Sequence, residues 1–416
     1  MAELFQTLIA VVVIGSLYAL IALGYTMVYG ILKFINFAHS DVFVLGAWLS
    51  FTVATFLISR LGLNAEALPW WIGGVVLISA MTLCSAIGFV IERFAYRPLR
   101  KAPRLNVLIT AIGVSLFLQN SGQLQYTIAP DLKLPFGTRP QRMPSLLPER
   151  ALNDSTIAKG TAPADQPETG TRLDSPVTLE RGRVYRLDLV TADGREISRG
   201  VLNPLARPDA EPRGEFPTLD TIPPLARADA AGARYRLVQA PTVPIQLVDI
   251  AIVGSALVLM LALEVLVFRT KVGRAMRAVS FNVETASLMG INVDRIISFT
   301  FCLGAALAAA AGFLNVLKYP GGLNIPAHET WVLLGLKAFV AAVVGGIGNI
   351  RGAVLGGFLI AGVEQGGIYL VYNFIDQPLG TRLATNLRDV YVFAVLILAL
   401  LFRPSGLLGT TVREKV

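Results

Sequence analysis

Charge is scarce in this chain. Of 416 residues, 15% are Asp, Glu, Lys or Arg, whereas a soluble domain carries about a quarter. Hydrophobic residues make up 54% and cluster into long runs, so lipid is the expected solvent. Cysteine is nearly missing: Cys84 and Cys302 both fall inside apolar runs, which argues against a disulfide framework or a cysteine zinc site. Histidine occurs only at His39 and His328. No nucleophile–base set and no metal-ligand spacing stands out, so neither an enzyme nor a resident metal is expected. The pattern G-x-x-x-x-G-K-[ST] does not occur, so the chain has no phosphate cradle and no bound cofactor of its own is expected. The net charge of +8 would suggest nucleic acid, but the basic residues sit in short loops beside apolar runs. That is the pattern of membrane topology signals, and no nucleic-acid partner is expected.

A membrane span needs about 20 apolar residues to cross about 30 Å of hydrocarbon. Segments 5–32, 41–59, 69–91, 105–122, 245–268, 296–317, 331–349, 352–372 and 388–402 qualify or nearly do, the second and last being short. The expected fold class is an all-α polytopic membrane protein of eight or nine transmembrane helices. The first run has no basic lead-in and is too long for a signal peptide, so it reads as a retained span. The stretch 34–48 reads as either a broken or re-entrant helix or a full span. Arg93, Arg97, Arg100, Lys101 and Arg104 crowd one loop, and Arg269, Lys271, Arg274, Arg277 and Arg295 another. Arg403, Arg413 and Lys415 mark the tail, and Lys33 and Arg351 mark tight connections. Putting all of them in the cytoplasm requires nine crossings, with the N-terminus outside and the C-terminus inside.

Three regions follow: N-terminal helices over 1–122, an extracytoplasmic insert over 123–244, and C-terminal helices over 245–416 with a cytoplasmic loop at 269–295. The insert is rich in Pro, Arg, Asp and Gly. Tyr185, Leu187 and Leu189 alternate before Asp193-Gly194, a hairpin signal that predicts a partly β module between Pro-rich linkers. It reads as a spacer or docking appendage in preference to a ligand-binding module.

The 274–295 stretch is basic, amphipathic and helix-prone between two apolar segments. Within it, Glu284-Thr285-Ala286-Ser287-Leu288-Met289-Gly290 fits E-x-A-x-x-x-G. Small residues allow close approach, Glu284 can cap or form a salt bridge, and Gly290 ends the helix. Such a knob suits a groove on another protein; the alternative is a basic loop lying on anionic membrane lipid.

This segment resembles the EAA---G coupling loop of ABC-type importer permeases. Five further blocks resemble the branched-chain amino acid permeases, LivH type: INFAHSDVFVLGAW (35–48), ERFAYRPLR (92–100), LITAIGVSLFLQN (108–120), AVVGGIGNIRGAVLGGFLIAGVE (342–364) and FRPSGLLG (402–409). The likeness covers about 1–125 and 243–416. Thr285 departs from the usual Ala, the downstream Pro is missing, and the large insert is unusual. The resemblance implies a half-pore for Leu, Ile or Val in a bacterial inner (plasma) membrane. It also implies a second related permease, two cytoplasmic ATPases that hydrolyse ATP, and an extracytoplasmic solute-binding protein. Relatives for urea or short amides are the alternative within the family; a stand-alone carrier or channel, or a receptor sensing through the insert, are the alternatives outside it.

Ionisable groups within spans are costly and mark function or pairing. Lys337 lies 14 residues before Arg351 and Glu364 lies 13 after it, so a hairpin turning there puts both at one depth. A Lys337–Glu364 pair is expected, either locking two helices or lining the path of a zwitterion. Asn36, His39 and Asp41 resemble the family's path-lining block. The strings AHSD and AHET around His39 and His328 are either a coincidence of two short strings, the reading preferred, or the mark of an inverted repeat with discontinuous helices. Glu264, close to Arg269 and Lys271 at the inner boundary, is expected to snorkel or to be paired. Gly345, Gly346, Gly352, Gly356, Gly362 and Gly366 include small-xxx-small spacings, Gly352/Gly356 and Gly362/Gly366, that predict close helix packing.

Overall fold

The computed structural model describes residues 2–63, 68–69, 71–100, 102–121, 126–129, 132–134, 142–144, 146–147, 151–161, 171–178, 185–190, 196–202, 218–222, 234–239, 241, 243–320 and 329–409. The chain divides into two compact units. One comprises Met1–Gln6, Asn64–Pro69 and Ser145–Ile250, the other Thr7–Leu63, Trp70–Pro144 and Ala251–Val416.

The helices are α1 (Ala2–Leu32), α2 (His39–Leu61), α3 (Trp71–Ile91), α4 (Arg104–Ser121), α5 (Leu247–Arg269), α6 (Lys271–Phe281), α7 (Val283–Leu288), α8 (Val293–Lys318), α9 (Glu329–Gly345), α10 (Ile350–Val371), α11 (Gln377–Leu379), α12 (Leu383–Asn386) and α13 (Arg388–Phe402). Each of the nine apolar segments forms a helix. Among the described residues, six helices are long and apolar enough to cross a membrane: Ala2–Leu32, His39–Leu61, Trp71–Leu99, Leu247–Arg269, Val293–Lys318 and Ile350–Leu379. The apolar parts of α4 and α9 are shorter, Leu105–Ser121 and Leu334–Gly345, and α13 has 15 residues. The segment expected over 331–349 stops early because Gly346 (φ 109°) and Gly348 (φ 95°) take left-handed conformations and turn the chain.

The 34–48 region is settled by the backbone. Lys33 ends α1 with φ 56°, residues 33–38 turn, and 39–48 belong to the unbroken helix α2. α3 continues through a π-helical turn, Glu92–Tyr96, and a 3-10 turn, Arg97–Leu99. There Pro98, with no N–H to donate, fits a terminating turn.

Buried α8 packs against both α2 and α3. The approach is backbone to backbone: a Cβ on Gly46 would meet Ala309 Cα, and one on Gly312 would overlap the Phe43 carbonyl oxygen. Small residues let helices close on each other where lipid supplies no hydrophobic drive. α9 and α10 form a hairpin capped by Asn349, whose Oδ1 accepts from Arg351 N at 3.0 Å and Gly352 N at 3.2 Å. The tail is tied to this turn by Leu407 N to Val344 O at 2.8 Å and Leu408 N to Gly345 O at 3.0 Å.

Of the glycines expected to pack, Gly345 and Gly352 face each other and Gly356 abuts the Ala341 carbonyl. Gly346 serves the turn and its backbone meets Gly409. The Gly362/Gly366 spacing does not make a close helix contact. Gly362 has only Val11 Cγ1 near, at 3.9 Å, and Gly366 has no described atom within 4 Å, because that face of α10 is turned away from α9. Gly357, against the Ala19 backbone, takes that role instead.

A two-stranded antiparallel sheet pairs β1 (Tyr126–Ala129) with β2 (Leu132–Leu134). Six strands follow: β3 (Ser155–Thr161), β4 (Thr171–Thr178), β5 (Tyr185–Val190), β6 (Glu196–Leu202), β7 (Thr218–Ile222) and β8 (Arg234–Gln239). They form one sheet in the order β6-β5-β8-β3-β4-β7 with antiparallel neighbours. β5 and β6 pair from Tyr185↔Leu202 to Val190↔Glu196. The Asp193-Gly194 turn lies outside the described residues, as do His328, Arg413 and Lys415.

Candidate functional site

Three clusters of the helical unit hold the candidate residues. The first is the α6–α7 segment. Thr270 caps α6, its hydroxyl oxygen accepting from Gly273 N at 3.0 Å. Gly273, Met276 and Val279 bury one helical face while Lys271, Arg274 and Arg277 lie on the outside, the pattern of an amphipathic surface helix. Ser280 Oγ donates to Gly30 O at 2.6 Å, fastening α6 to the end of α1. The run is not one helix as expected: Asn282, at φ −153° and ψ 116°, breaks it. Asn282 Oδ1 accepts from Thr285 N at 2.9 Å, so the cap is Asn282 and not Glu284, which sits one position inside the first turn. Gly290 closes α7 at φ 79°, with Gly290 N to Ser287 O at 3.0 Å and Ile291 N to Ala286 O at 3.1 Å.

The result is a knob with a buried hinge side and an apolar outer side. Ala286 is 3% exposed, whereas Phe281, Leu288 and Met289 are 95%, 86% and 78% exposed. An apolar patch of this kind, held rigid by two caps, marks an interaction surface.

The second cluster lies within the apolar helices. Lys337 Nζ is 3.0 Å from Glu364 Oε1, so the two expected partners meet. Lys337 is 4% exposed and Glu364 fully buried. The pair belongs to a larger set. Lys337 Nζ also lies 2.5 Å from Asp389 Oδ1, Arg388 Nε pairs with Glu364 Oε1, and Tyr18 Oη donates to Glu364 Oε2 at 2.6 Å. Two cations and two anions balance, with α1, α9, α10 and α13 contributing. Asp389 and Arg388 escaped the sequence reading because they stand at the edge of an apolar run, where charges read as span ends.

The third cluster surrounds the α1–α2 turn. Asn36, His39 and Asp41 are all buried. Tyr96 Oη donates to Asn36 Oδ1 at 2.6 Å, and His39 Nε2 lies 3.2 Å from Ile21 O, so that nitrogen carries the proton it donates. Gly24 leaves the space the His39 ring occupies. Gln119 Nε2 donates to Asp41 Oδ1 at 3.0 Å and to Ser115 Oγ at 3.1 Å. Asp41 Oδ2 has no hydrogen-bond partner among the described residues, although Asp41 is 4% exposed. A buried carboxylate oxygen without a donor is costly, and it is an acceptor ready for a cationic or N–H group.

Two further ion-pair sets revise the sequence picture. Glu264 pairs with Arg351 Nη2 at 2.9 Å and not with Arg269 or Lys271, because α5 presents it to the start of α10. Arg97 and Arg100, read as topology charges, are also structural. Both pair with Asp294 at the start of α8, and Arg100 pairs with fully buried Glu92, which accepts from Ser298 Oγ at 2.5 Å. No group of three His, Cys, Asp or Glu placed to hold a metal occurs among the described residues.

A bundle with six helices long and apolar enough to cross a membrane, and with charges balanced among its buried side chains, is the architecture of a polytopic membrane protein. The profile of the family described as "Branched-chain amino acid transport system / permease component" matches residues 7–141 and 223–400, so the chain belongs to that family. The high-affinity branched-chain amino acid transport system permease protein LivH of Salmonella typhimurium is 32% identical over 405 residues, covering 97% of this chain and 95% of the relative. BraD, the corresponding permease protein of Pseudomonas aeruginosa, is 32% identical over 411 residues, covering 99% and 97%. LivH of Escherichia coli K12 is 33% identical over 405 residues, covering 97% and 95%. No solved structure matches.

Proposed function

We propose that the chain is the permease subunit of an ATP-driven importer and forms half of a translocation pathway for Leu, Ile and Val. A second, related permease completes the pore, two cytoplasmic ATPases supply the energy, and an extracytoplasmic binding protein delivers the substrate. The chain performs no chemistry of its own and sits in a bacterial inner membrane. It crosses nine times, with its N-terminus outside, its C-terminus in the cytoplasm and the 123–244 insert extracytoplasmic and β-rich. Three of the nine helices are short, which suits spans packed beside longer ones in a locally thinned bilayer.

The observation that carries this reading is the knob Phe281–Gly290, an exposed apolar surface on two caps and a buried Ala286. Neither a stand-alone carrier nor a channel needs it. Glu284, Thr285, Ala286 and Gly290 are assigned to the ATPase seat. Asn36, His39 and Asp41 are assigned to the pathway, where Asp41 Oδ2 is available to the substrate ammonium. Lys337 and Glu364 are assigned to a structural lock, since the partners around them already balance their charges.

The test is L288D/M289D expressed in the native host in place of the unaltered chain. The altered chain should reach the membrane at normal level, lose leucine uptake and no longer bring ATPases down on affinity purification. Undiminished uptake and co-purification would refute the assignment, as would labelling of residues 281–289 by an impermeant reagent from outside. Urea or amide uptake in place of leucine would move the chain to the other branch of the family.

A further inference from the structure

A cleft of about 630 Å³ opens where α1, α5, α6, the α9–α10 turn and the tail converge. Its cations are Lys33 and Arg277, and none of the described lining residues is acidic. Arg277 is held in place, its guanidinium carbon 5.4 Å from the centre of the Phe268 ring; Arg351 approaches the same ring at 5.9 Å. Stacking on an aromatic face keeps a guanidinium charged and oriented without consuming its donors. Lys33 adopts the left-handed backbone at φ 56°, unique among described non-glycine residues, and a cost of that kind persists where the surroundings demand the position. Deeper in the wall, Thr26 is 1% exposed and its Oγ1 has no hydrogen-bond partner among the described residues. Two cations around one space, with no carboxylate among its described lining residues, suit an anion.

The wall identifies the source of that anion. Val267 and Phe268 belong to α5, whose Leu257, Val258, Leu261 and Val265 leave an apolar strip exposed along the helix up to the cleft. A soluble anion would have no use for that strip, whereas acyl chains would lie along it. We infer that this cleft binds an anionic phospholipid, its phosphodiester between Lys33 and Arg277 and its chains along α5. The inference rests on the proposed threading only for the leaflet, which is the cytoplasmic one, where basic pockets between helices collect acidic lipids. α6 forms one wall, so the lipid braces the helix that carries the knob.

The full chain, purified in a detergent that preserves lipid, is offered phosphatidylglycerol and phosphatidylethanolamine in equal amounts, and retained lipid is read by native mass spectrometry. Phosphatidylglycerol should be retained preferentially, each cation contributing about five-fold. K33Q/R277Q should lose the preference, R277E at its exposed helical position should lose most of it, and R60Q, a charge removed at the far end of α2, should keep it. Each variant is compared at an unchanged thermal midpoint. Equal retention of both lipids by the unaltered chain, or full preference in R277E, overturns the site. Displacement of the lipid by millimolar inorganic phosphate identifies a soluble-anion site and overturns the lipid assignment. Because the readout is binding alone, failure here leaves the importer reading untouched, and failure of that reading leaves this result standing.

Discussion

Removing Lys337 tests the charge cluster most directly. In K337M, Glu364 and Asp389 remain buried or half-buried against the single cation Arg388, so the cluster carries one uncompensated negative charge. Breaking a buried pair on one side costs about 3 to 5 kcal/mol, which lowers the folded-to-unfolded ratio roughly 150- to 5,000-fold. E364Q is expected to be as harmful, since it removes the carboxylate that serves Lys337, Arg388 and Tyr18 together. K337M/E364Q restores neutrality, leaving Arg388 and Asp389, and should cost less than the sum of the two single changes by more than 1 kcal/mol. The reversal K337E/E364K is the sharper case. It keeps the pair but sets the introduced carboxylate beside Asp389 and the introduced ammonium beside Arg388, so it should recover nothing; the four-way reversal with R388E/D389K should recover part. The assay is equilibrium unfolding of the purified full chain in one detergent. Additivity of the two single changes within about 0.5 kcal/mol, or full recovery by the two-residue reversal, would refute the four-charge reasoning.

Three further outcomes follow from other contacts. G312V pushes its side chain into the Phe43 carbonyl, and with α2 and α8 unable to separate cheaply it should abolish accumulation of folded chain, read by fluorescence-detected gel filtration. N282A removes the cap on Thr285 N and should destabilise α7 by about 1 kcal/mol, seen as faster amide exchange over 283–290 with exchange elsewhere unchanged. D41N keeps the size of the side chain but removes its charge, and should cut leucine uptake at least about ten-fold, the equivalent of 1.4 kcal/mol, at normal membrane level. Normal uptake by D41N would remove Asp41 from the pathway.

The apolar segments were legible because their length and composition dictate helix, and the observed ends fall within a few residues of the expected ones. The exceptions have local causes. α9 stops at Gly345 because the next glycines turn, and the amphipathic run breaks at Asn282 because its side chain serves the following helix better than its own backbone would. That Lys337 and Glu364 share a depth was legible from their equal distance to one turn, but their contact also needs both to lie on the facing sides of the hairpin, which the packing supplies. Asp389, Arg388 and Tyr18 were not, because which helix packs beside that hairpin is decided by shape across the bundle and not by any spacing along the chain. The same holds for Glu92 and Asp294, which meet Arg100 across 8 and 194 residues. Gly290 could be assigned to a helix end, but that Ala286 faces inward while Leu288 and Met289 face outward emerges only from the packing.

How a push on the knob would reach the interior follows from where it is fastened. Four residues, 289–292, separate α7 from α8, and Asn292 Oδ1 caps α8 by accepting from Arg295 N at 3.1 Å. On one side Ser280 fixes α6 to the end of α1; on the other, Asp294 holds the first turn of α8 to Arg97 and Arg100. α8 then runs through the centre of the bundle with its glycine and alanine face against α2, the helix that carries His39 and Asp41. Contacts made backbone to backbone leave no soft side chains to absorb a displacement, since cores this close yield by shifting whole helices and not by compression. A displacement of α7 therefore has a stiff route into α8 and from there to α2. If the proposed ATPase seats on the knob, loosening that route at D294A should leave the seat occupied while uptake falls. If D294A instead transports normally, the route does not run through α8.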